Sequence, residues 1–118
     1  MSIESLKEID GLNVEQGIVN CMDDEGLYLS IASMYIEQIN EYLPKLKELF
    51  AAQDWSEYGH IAHSIKGASA SVGTEAIQAK SSELEQAAKD QNYDPIIAQH
   101  ESYLELLSST LEKIQNCL

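Results

Sequence analysis

A histidine, a lysine and a glycine lie close together near the middle of the chain, at His63, Lys66 and Gly67. On an α-helix, residues three and four positions apart share a face, so the lysine would lie beside the imidazole and the glycine would add no bulk. Gly59 lies one turn before the histidine. Since a glycine within a helix costs about 1 kcal/mol relative to alanine, two of them indicate that a clear surface around His63 has a use.

An uncrowded imidazole nitrogen is a nucleophile that a second protein can approach. The ammonium of Lys66 is the only cation between Lys47 and Lys80, and at this spacing it can offset the charge of a phosphoryl group carried on the ring. This pattern favours phosphoryl transfer over an ordinary solvated helix histidine at position 63.

The other two histidines are weaker candidates for this chemistry. His60 has Ser64 one turn later and no lysine within a turn, and His100 falls on the apolar stripe of the last predicted helix. Glu57 and His60 form one Glu-x-x-His element, which di-iron helical bundles use in pairs. Because the sequence has no second copy, a metal-dependent oxidase is a poor alternative.

Apolar residues recur at helical spacing through most of the chain, which predicts an all-α fold. A short first helix is predicted over about Val14 to Cys21, and Asp23 or Asp24 is the predicted N-cap of the second helix. Pro44 lies inside the second helix and predicts a kink near Ile39–Asn40. The predicted apolar stripe of this helix comprises Leu27, Ile31, Met34, Ile39, Leu43, Leu46 and Phe50.

Three further helices follow. Asp54 and Glu57 resemble a capping box at the start of the third helix. Gly73 is the predicted residue just after that helix, Thr74 is the predicted N-cap of the fourth, and Asp94-Pro95 suits the start of the last. Short connections between four long helices favour antiparallel neighbours, so we predict an antiparallel four-helix bundle with a short additional N-terminal helix. The predicted stripe of the last helix comprises Ile97, His100, Leu104, Leu107, Leu111 and Ile114.

The length and charge of the chain narrow the classes of function. A chain of 118 residues predicts a single domain over 1–118, with a core over about 12–116. The formal charge is −13, from 20 acidic residues against 7 lysines and no arginine, so the chain lacks the positive stripe that nucleic acids or anionic membranes require. No signal peptide or spanning segment is evident, and Cys21 and Cys117 show no metal spacing, so we expect a cytoplasmic protein with free thiols.

One segment of the sequence resembles a known family. Ala62-His63-Ser64-Ile65-Lys66-Gly67-Ala68, followed by Val72-Gly73, is similar to the signature of histidine-containing phosphotransfer (HPt) domains, which read His-x-x-Lys-Gly, then small residues and a glycine. The resemblance covers nearly the whole chain, from about Leu12 to Ile114. Its outer parts are Leu12-Asn13-Val14-Glu15-Gln16-Gly17, Asp54-Trp55 and Ser82-Glu83-Leu84-Glu85.

The resemblance implies a role for each residue of the motif. His63 would carry the phosphoryl group on Nε2, Lys66 would stabilise it, and Gly67 would leave clearance for the partner. Glu85 would accept a hydrogen bond from the imidazole Nδ1–H, which fixes the tautomer and leaves Nε2 as the nucleophile. Gln86 is the alternative if the register of the fourth helix differs by one residue.

The resemblance also implies a phosphorelay intermediate of two-component signal transduction, without independent catalytic activity. It would accept a phosphoryl group from a phospho-aspartate of one receiver domain and pass it to another. Its partners would be response-regulator receiver domains, a hybrid sensor histidine kinase, or both. It would be a monomer with no cofactor or metal of its own, because the receiver would supply the Mg²⁺.

Two alternatives remain open from the sequence. A phosphate-accepting substrate domain of a chemotaxis-type histidine kinase also carries His-x-x-Lys-Gly and a glutamate like Glu85. A non-catalytic helical adaptor would need an apolar docking surface, to which Ile36, Leu43 and Val72 could contribute. Exposure to a phosphorylated receiver domain distinguishes the adaptor, because an adaptor would take up no phosphoryl group.

Overall fold

The chain folds into α-helices joined by short connections. The computed structural model describes residues 3–118, and no strand occurs within that range, so the all-α prediction is confirmed. Two short helices precede four long ones, whereas the sequence predicted a single short one. The helices are α1 (Ile3–Lys7), α2 (Val14–Asn20), α3 (Glu25–Ala52), α4 (Trp55–Val72), α5 (Glu75–Lys89) and α6 (Asp94–Cys117).

Aspartate side chains begin two of the long helices, as their positions in the sequence predicted. The Asp24 carboxylate accepts a hydrogen bond from the backbone N–H of Leu27 at 3.0 Å, at the start of α3. The Asp54 carboxylate accepts from the backbone N–H of Glu57 at 3.3 Å, at the start of α4. Each bond satisfies a backbone donor that has no partner within its helix.

The turn between α4 and α5 is built on Gly73, which has a φ of +93° and ends α4 in the left-handed region. Its backbone N–H bonds the carbonyl of Ser69, and its carbonyl accepts from the N–H of Asn13 at 2.8 Å. Thr74 makes no side-chain cap to α5, contrary to the prediction, because its hydroxyl is directed to Ser69 and Tyr35. The turn therefore connects the long helices to the segment before α2.

Helix α3 is the longest element, and its 28 residues continue through Pro44 without a break. At about 1.5 Å per residue its length matches the 40 Å long dimension of the molecule. The predicted bend near Ile39–Asn40 stays a prediction, but the helix has no boundary there.

Four tyrosines form the centre of the core, and each is no more than 2% exposed. A buried tyrosine contributes a large apolar ring, provided that its hydroxyl has a partner. The hydroxyls pair as follows: Tyr28 with the Val72 carbonyl at 2.7 Å, Tyr35 with the Ser69 hydroxyl at 2.8 Å, Tyr58 with His100 Nδ1 at 2.8 Å, and Tyr103 with the Ser81 hydroxyl at 2.7 Å. These bonds join α3 to α4, α4 to α6 and α5 to α6.

Most residues of the two predicted stripes lie in the core, but each stripe includes exposed residues. Met34 and Ile97, which were predicted to face inward, are 56% and 55% exposed. Tyr35 and Ile96 take the inward positions instead. His100, predicted at the seam or edge of α6, is buried and stacks on the Phe50 ring with a centroid distance of 3.9 Å.

Helices α4 and α5 form a closely packed pair that runs in opposite directions. Gly59, near the start of α4, lies against Ala88 near the end of α5, and His63 lies against Glu85 further along. The backbones approach closely at this contact because Gly59 has no side chain. This pairing brings a residue of α5 next to the imidazole of α4.

Candidate functional site

His63 lies on the outer face of α4, and its side chain is 65% exposed. Its neighbours Ala62 and Ile65 are fully buried, so the helix is anchored on the opposite side. The imidazole Nδ1 lies 2.8 Å from Oε2 of Glu85. Within residues 3–118, Nε2 has no hydrogen-bond partner and is open to an approaching molecule.

The Glu85 side chain is almost completely buried, although it carries a charge. Three donors surround it: Lys66 Nζ at 2.7 Å from Oε1, His63 Nδ1 at 2.8 Å from Oε2, and Lys89 Nζ at 3.0 Å from Oε2. The hydrogen bond from Lys66 is the main cause that lowers the pKa of Glu85 to about 2, against the effect of burial; Lys89 and His63 add to the lowering. The carboxylate is therefore ionised at neutral pH.

The ionised carboxylate determines the tautomer of His63. A carboxylate without a proton can only accept hydrogen bonds, so at this contact Nδ1 must carry the hydrogen. In a neutral imidazole the lone pair then lies on Nε2. The exposed nitrogen is consequently the nucleophilic one.

Glu85, rather than Gln86, is the residue of α5 that contacts the imidazole. The Gln86 side chain is exposed and donates to Asp90 at 3.0 Å, one turn along the same helix. The register that the sequence left open is thus the one in which Glu85 faces α4.

Lys66 lies within one turn of His63, but its ammonium is directed to Glu85. The side chain is half-buried along the groove between α4 and α5. The sequence predicted a lysine that reaches a group on the imidazole; in the structure its ammonium and the imidazole Nδ1 occupy the two oxygens of one carboxylate.

The two glycines near His63 have different surroundings. A Cβ atom added at Gly67 would meet nothing within 4 Å, so that position leaves an open surface beside the ring. A Cβ added at Gly59 would lie 2.7 Å from the Cβ of Ala88. The expectation that Gly59 clears the surface is wrong, because Gly59 is buried and allows α4 and α5 to approach each other.

Lys89 is a site residue that the sequence analysis missed. Its Nζ contacts the same carboxylate oxygen that accepts from His63. The signal was present, because Lys89 follows Glu85 by four residues, the spacing at which a glutamate and a lysine meet on a helix.

Comparison with known proteins gives one family. The family model described as the Hpt domain matches residues 30–117, which is most of the chain. The chain belongs to the Hpt domain family. HPt domains are phosphotransfer modules of two-component signalling, and His63, Lys66, Gly67 and Glu85 lie within the matched residues.

A solved structure shares the fold of this HPt domain. It is the crystal structure of the HPT domain from the Hpt Sensor Hybrid Histidine Kinase from Shewanella, with a TM-score of 0.74 and 20% sequence identity. The similarity covers 99% of this chain and 98% of the other. No curated protein matches the chain.

Two hollows, each with a volume of about 300 Å³, lie beside α4 on the surface of the HPt domain, and His63 lines the first of them. The first lies towards α5 and is lined by Ser56, Gly59, His60, His63, Glu85, Ala88 and Lys89. The second lies towards α3, where Ile31, exposed Met34 and the open position Gly67 contribute. Of the three residues that could contribute to an apolar docking surface, Ile36 and Val72 are buried in the core, whereas Leu43 is partly exposed.

The Glu57–His60 element forms a surface pair in the HPt domain. His60 Nδ1 lies 3.2 Å from the Glu57 carboxylate, and both side chains are largely exposed. Across residues 3–118 there is no group of three or more histidine, cysteine, aspartate or glutamate side chains placed to hold a metal ion. Within the same residues, none of the helices combines the length and apolar character that a membrane span requires.

Proposed function

We propose that this chain is a phosphorelay intermediate in which His63 accepts a phosphoryl group from a phospho-aspartate of one receiver domain and passes it to another. The observation that carries the proposal is an imidazole with Nε2 open to solvent and Nδ1 held at 2.8 Å by a buried, ionised Glu85. The pairing of α4 with α5 supports the proposal, because it places His63 and Glu85 on two packed helices that hold both side chains in position. We propose that these two helices belong to an antiparallel four-helix bundle.

The bonds that form and break in the transfer step involve only the imidazole and the phosphorylated partner. The Nε2 lone pair forms a bond to phosphorus, the bond from phosphorus to the aspartyl oxygen breaks, and its electron pair stays on the aspartate carboxylate. Nδ1 keeps its hydrogen, so the ring becomes cationic. The Glu85 carboxylate stabilises that cation, and the same step in reverse delivers the phosphoryl group to the next receiver.

The proposed division of labour makes the chain a carrier without independent catalytic activity. The receiver domain would supply the phospho-aspartate and the Mg²⁺. The chain itself would supply the nucleophile, its orientation and an open approach over Gly67, while Lys66 would stabilise the transferred group. We propose that it acts as a monomer in the cytoplasm, with response-regulator receivers or a hybrid sensor kinase as partners.

One observation favours a second candidate, the substrate domain of a chemotaxis-type histidine kinase. The acceptor at Nδ1 is a glutamate, which this class shares by resemblance with the present chain. The two candidates differ in the phosphoryl donor: a kinase with bound ATP in one case and a phosphorylated receiver in the other. Incubation with labelled ATP and a purified chemotaxis-type kinase, in parallel with a labelled receiver, separates them.

The main experiment tests transfer from a receiver domain. The chain is incubated with ³²P-labelled receiver domains of the source organism and Mg²⁺, and the label on each protein is followed by gel electrophoresis. We expect label on the wild type and on His60→Gln, and none on His63→Gln. Label that persists in His63→Gln would exclude His63 as the acceptor, and a wild type that takes no label from any receiver or kinase would favour the adaptor.

A further inference from the structure

The carboxylate of Glu85 binds two ammonium groups that come from different helices. Lys66, on α4, contacts Oε1 at 2.7 Å, and Lys89, on α5, contacts Oε2 at 3.0 Å. The two lysines differ in their freedom, because the Lys66 side chain is 32% exposed and that of Lys89 is 65% exposed. One buried charge is thus compensated from both sides of the helix pair.

The proposed relay places two demands on Lys66. In the structure its ammonium compensates Glu85, whereas a phosphoryl group on His63 would require the same ammonium for a second anion. If the Lys66 ammonium moved to the phosphoryl group, the buried Glu85 carboxylate would lose one of its partners. Removing one partner of a buried charge is strongly unfavourable. With Lys66 as the sole cation, the carboxylate would therefore retain it and the phosphoryl group would lose it.

Lys89 resolves this competition. It follows Glu85 by four residues on the same helix, so it remains beside the carboxylate whatever the state of α4. Because it bonds Oε2, the oxygen that accepts from His63 Nδ1, it also holds that oxygen in place against the imidazole.

We propose that Lys89 is a positioning residue of the phosphotransfer site: it keeps the Glu85 carboxylate compensated and in contact with His63 while Lys66 turns to the phosphoryl group. The inference rests on the proposed function of His63. It assigns Lys89 no contact with the transferred group.

The test is a double-mutant cycle on transfer from a phosphorylated receiver domain. We expect Lys89→Gln to lower the initial rate of transfer to His63 by about five- to tenfold, a coupling typical of residues in one hydrogen-bond network. In a Lys66→Gln background, Lys89→Gln should change the rate less than twofold, because the Lys66 ammonium, which Lys89 leaves free to reach the phosphoryl group, is absent. Lys89→Arg should restore most of the rate, since a guanidinium also compensates a carboxylate.

Lys113→Gln on α6 is the matched control, because it removes the same charge from an exposed position away from His63. Its transfer rate should equal that of the wild type. Circular dichroism should show the same helix content for the control and for Lys89→Gln at the temperature of the transfer assay.

A spectroscopic measurement tests the positioning directly. The ¹⁵N resonances of His63 report which ring nitrogen carries the hydrogen, and we expect Lys89→Gln to lower the share of the Nδ1–H form. A variant with wild-type transfer rate and wild-type ¹⁵N resonances would overturn the inference on Lys89, and so would an equal loss of rate in both backgrounds. Absence of transfer to the wild type would instead overturn the proposed function.

Discussion

The His63 ring is exposed to solvent, but one of its nitrogens, Nδ1, already has a hydrogen-bond partner. Its side chain is 65% exposed, yet Nδ1 bonds a carboxylate that neighbouring groups hold almost wholly inside the protein. Ordering a free side chain at the moment of docking would cost entropy, and a side chain that is oriented beforehand avoids much of that cost. The restraint acts at Nδ1 and therefore leaves Nε2 unobstructed.

Substitutions at Gly67 should separate the fold from access to His63. Gly67→Ala places its Cβ in open space, so we expect a free energy of unfolding higher by up to about 1 kcal/mol and a nearly unchanged transfer rate. Gly67→Gln projects a longer side chain from the same point, and we expect it to slow transfer at least about tenfold, because it obstructs the approach of a partner. Urea unfolding and the initial rate of labelling measure the two effects, and wild-type labelling of Gly67→Gln would show that no partner approaches over this position.

Only the part of the site that depends on spacing within one helix could be predicted from the sequence. His63, Lys66 and Gly67 follow one another within a single helical turn, and their common face required only the period of the helix. Glu85 depends on the register between two helices, which the sequence left open between Glu85 and Gln86. Lys89 was missed because its role depends on the contact between Glu85 and His63.

At the scale of helices, the contact between Gly59 and Ala88 sets the separation of α4 and α5. In Gly59→Ala the new Cβ would lie 2.7 Å from the Cβ of Ala88, and neither atom can move without its backbone. We expect a free energy of unfolding lower by about 1–3 kcal/mol, as is usual for overpacking, and slower transfer because Glu85 would shift away from His63. Urea unfolding and labelling rates measure both losses.

The control for this prediction is Gly67→Ala, which makes the same substitution on the same helix without a contact. The double variant Gly59→Ala with Ala88→Gly removes the obstructing atom and should recover most of the lost transfer rate. A fully stable Gly59→Ala would contradict the packing role of this glycine.

The buried His100 should make stability depend on pH. It lies where three helices meet, stacked on Phe50 and bonded to the hydroxyl of Tyr58. Burial lowers the pKa of His100 below 6.5; among the nearby charges Lys47 also lowers it and Glu101 raises it. Below about pH 6.5 the unfolded chain binds a proton at this histidine more readily than the folded protein does. The free energy of unfolding therefore has its full value above that pH and decreases as the pH falls below it.

Urea unfolding at about pH 7.5 and pH 5.5 measures this dependence. We expect His100→Gln to reduce the loss at the lower pH, while the control His60→Gln, on the surface of α4, should retain the loss. An NMR titration of His100 in the wild type gives its midpoint independently of any variant. A midpoint at or above 6.5 would contradict the prediction.

Helix ends and helix faces were not equally predictable. Asp24 and Asp54 cap their helices as expected, because a cap is formed between a side chain and a backbone group three residues away. Thr74 does not cap α5, because its hydroxyl bonds residues of two other helices. The inward faces of α3 and α6 were predicted mainly from aliphatic residues and without the tyrosines, and Met34 and Ile97 proved to be exposed. Tyr35 and Tyr103 take such inward positions only because Ser69 and Ser81, on other helices, satisfy their hydroxyls, which one sequence cannot show.

The charge of the whole molecule is distributed over a small surface. A formal charge of −13 belongs to a molecule of only 40 × 23 × 20 Å, so most acidic side chains lie within a few tens of ångströms of one another. The buried Glu85 is compensated by two lysines, which leaves only five others against the remaining acids. Folding therefore brings together negative charges that the extended chain keeps apart.

Salt should consequently stabilise the protein. The Debye length falls from about 30 Å at 0.01 M salt to about 8 Å at 0.15 M, so added salt screens repulsion across the surface but has little effect inside the Glu85 cluster. We expect the midpoint of thermal unfolding to rise over this range by a few degrees, with sodium chloride and potassium chloride equally effective. Glu112→Lys and Lys113→Glu, neighbouring exposed positions on α6, make opposite changes of two charges and should respectively weaken and strengthen the dependence on salt. A midpoint that falls with salt in the wild type would mean that attractive ion pairs, rather than the net negative charge, dominate the electrostatics of the fold.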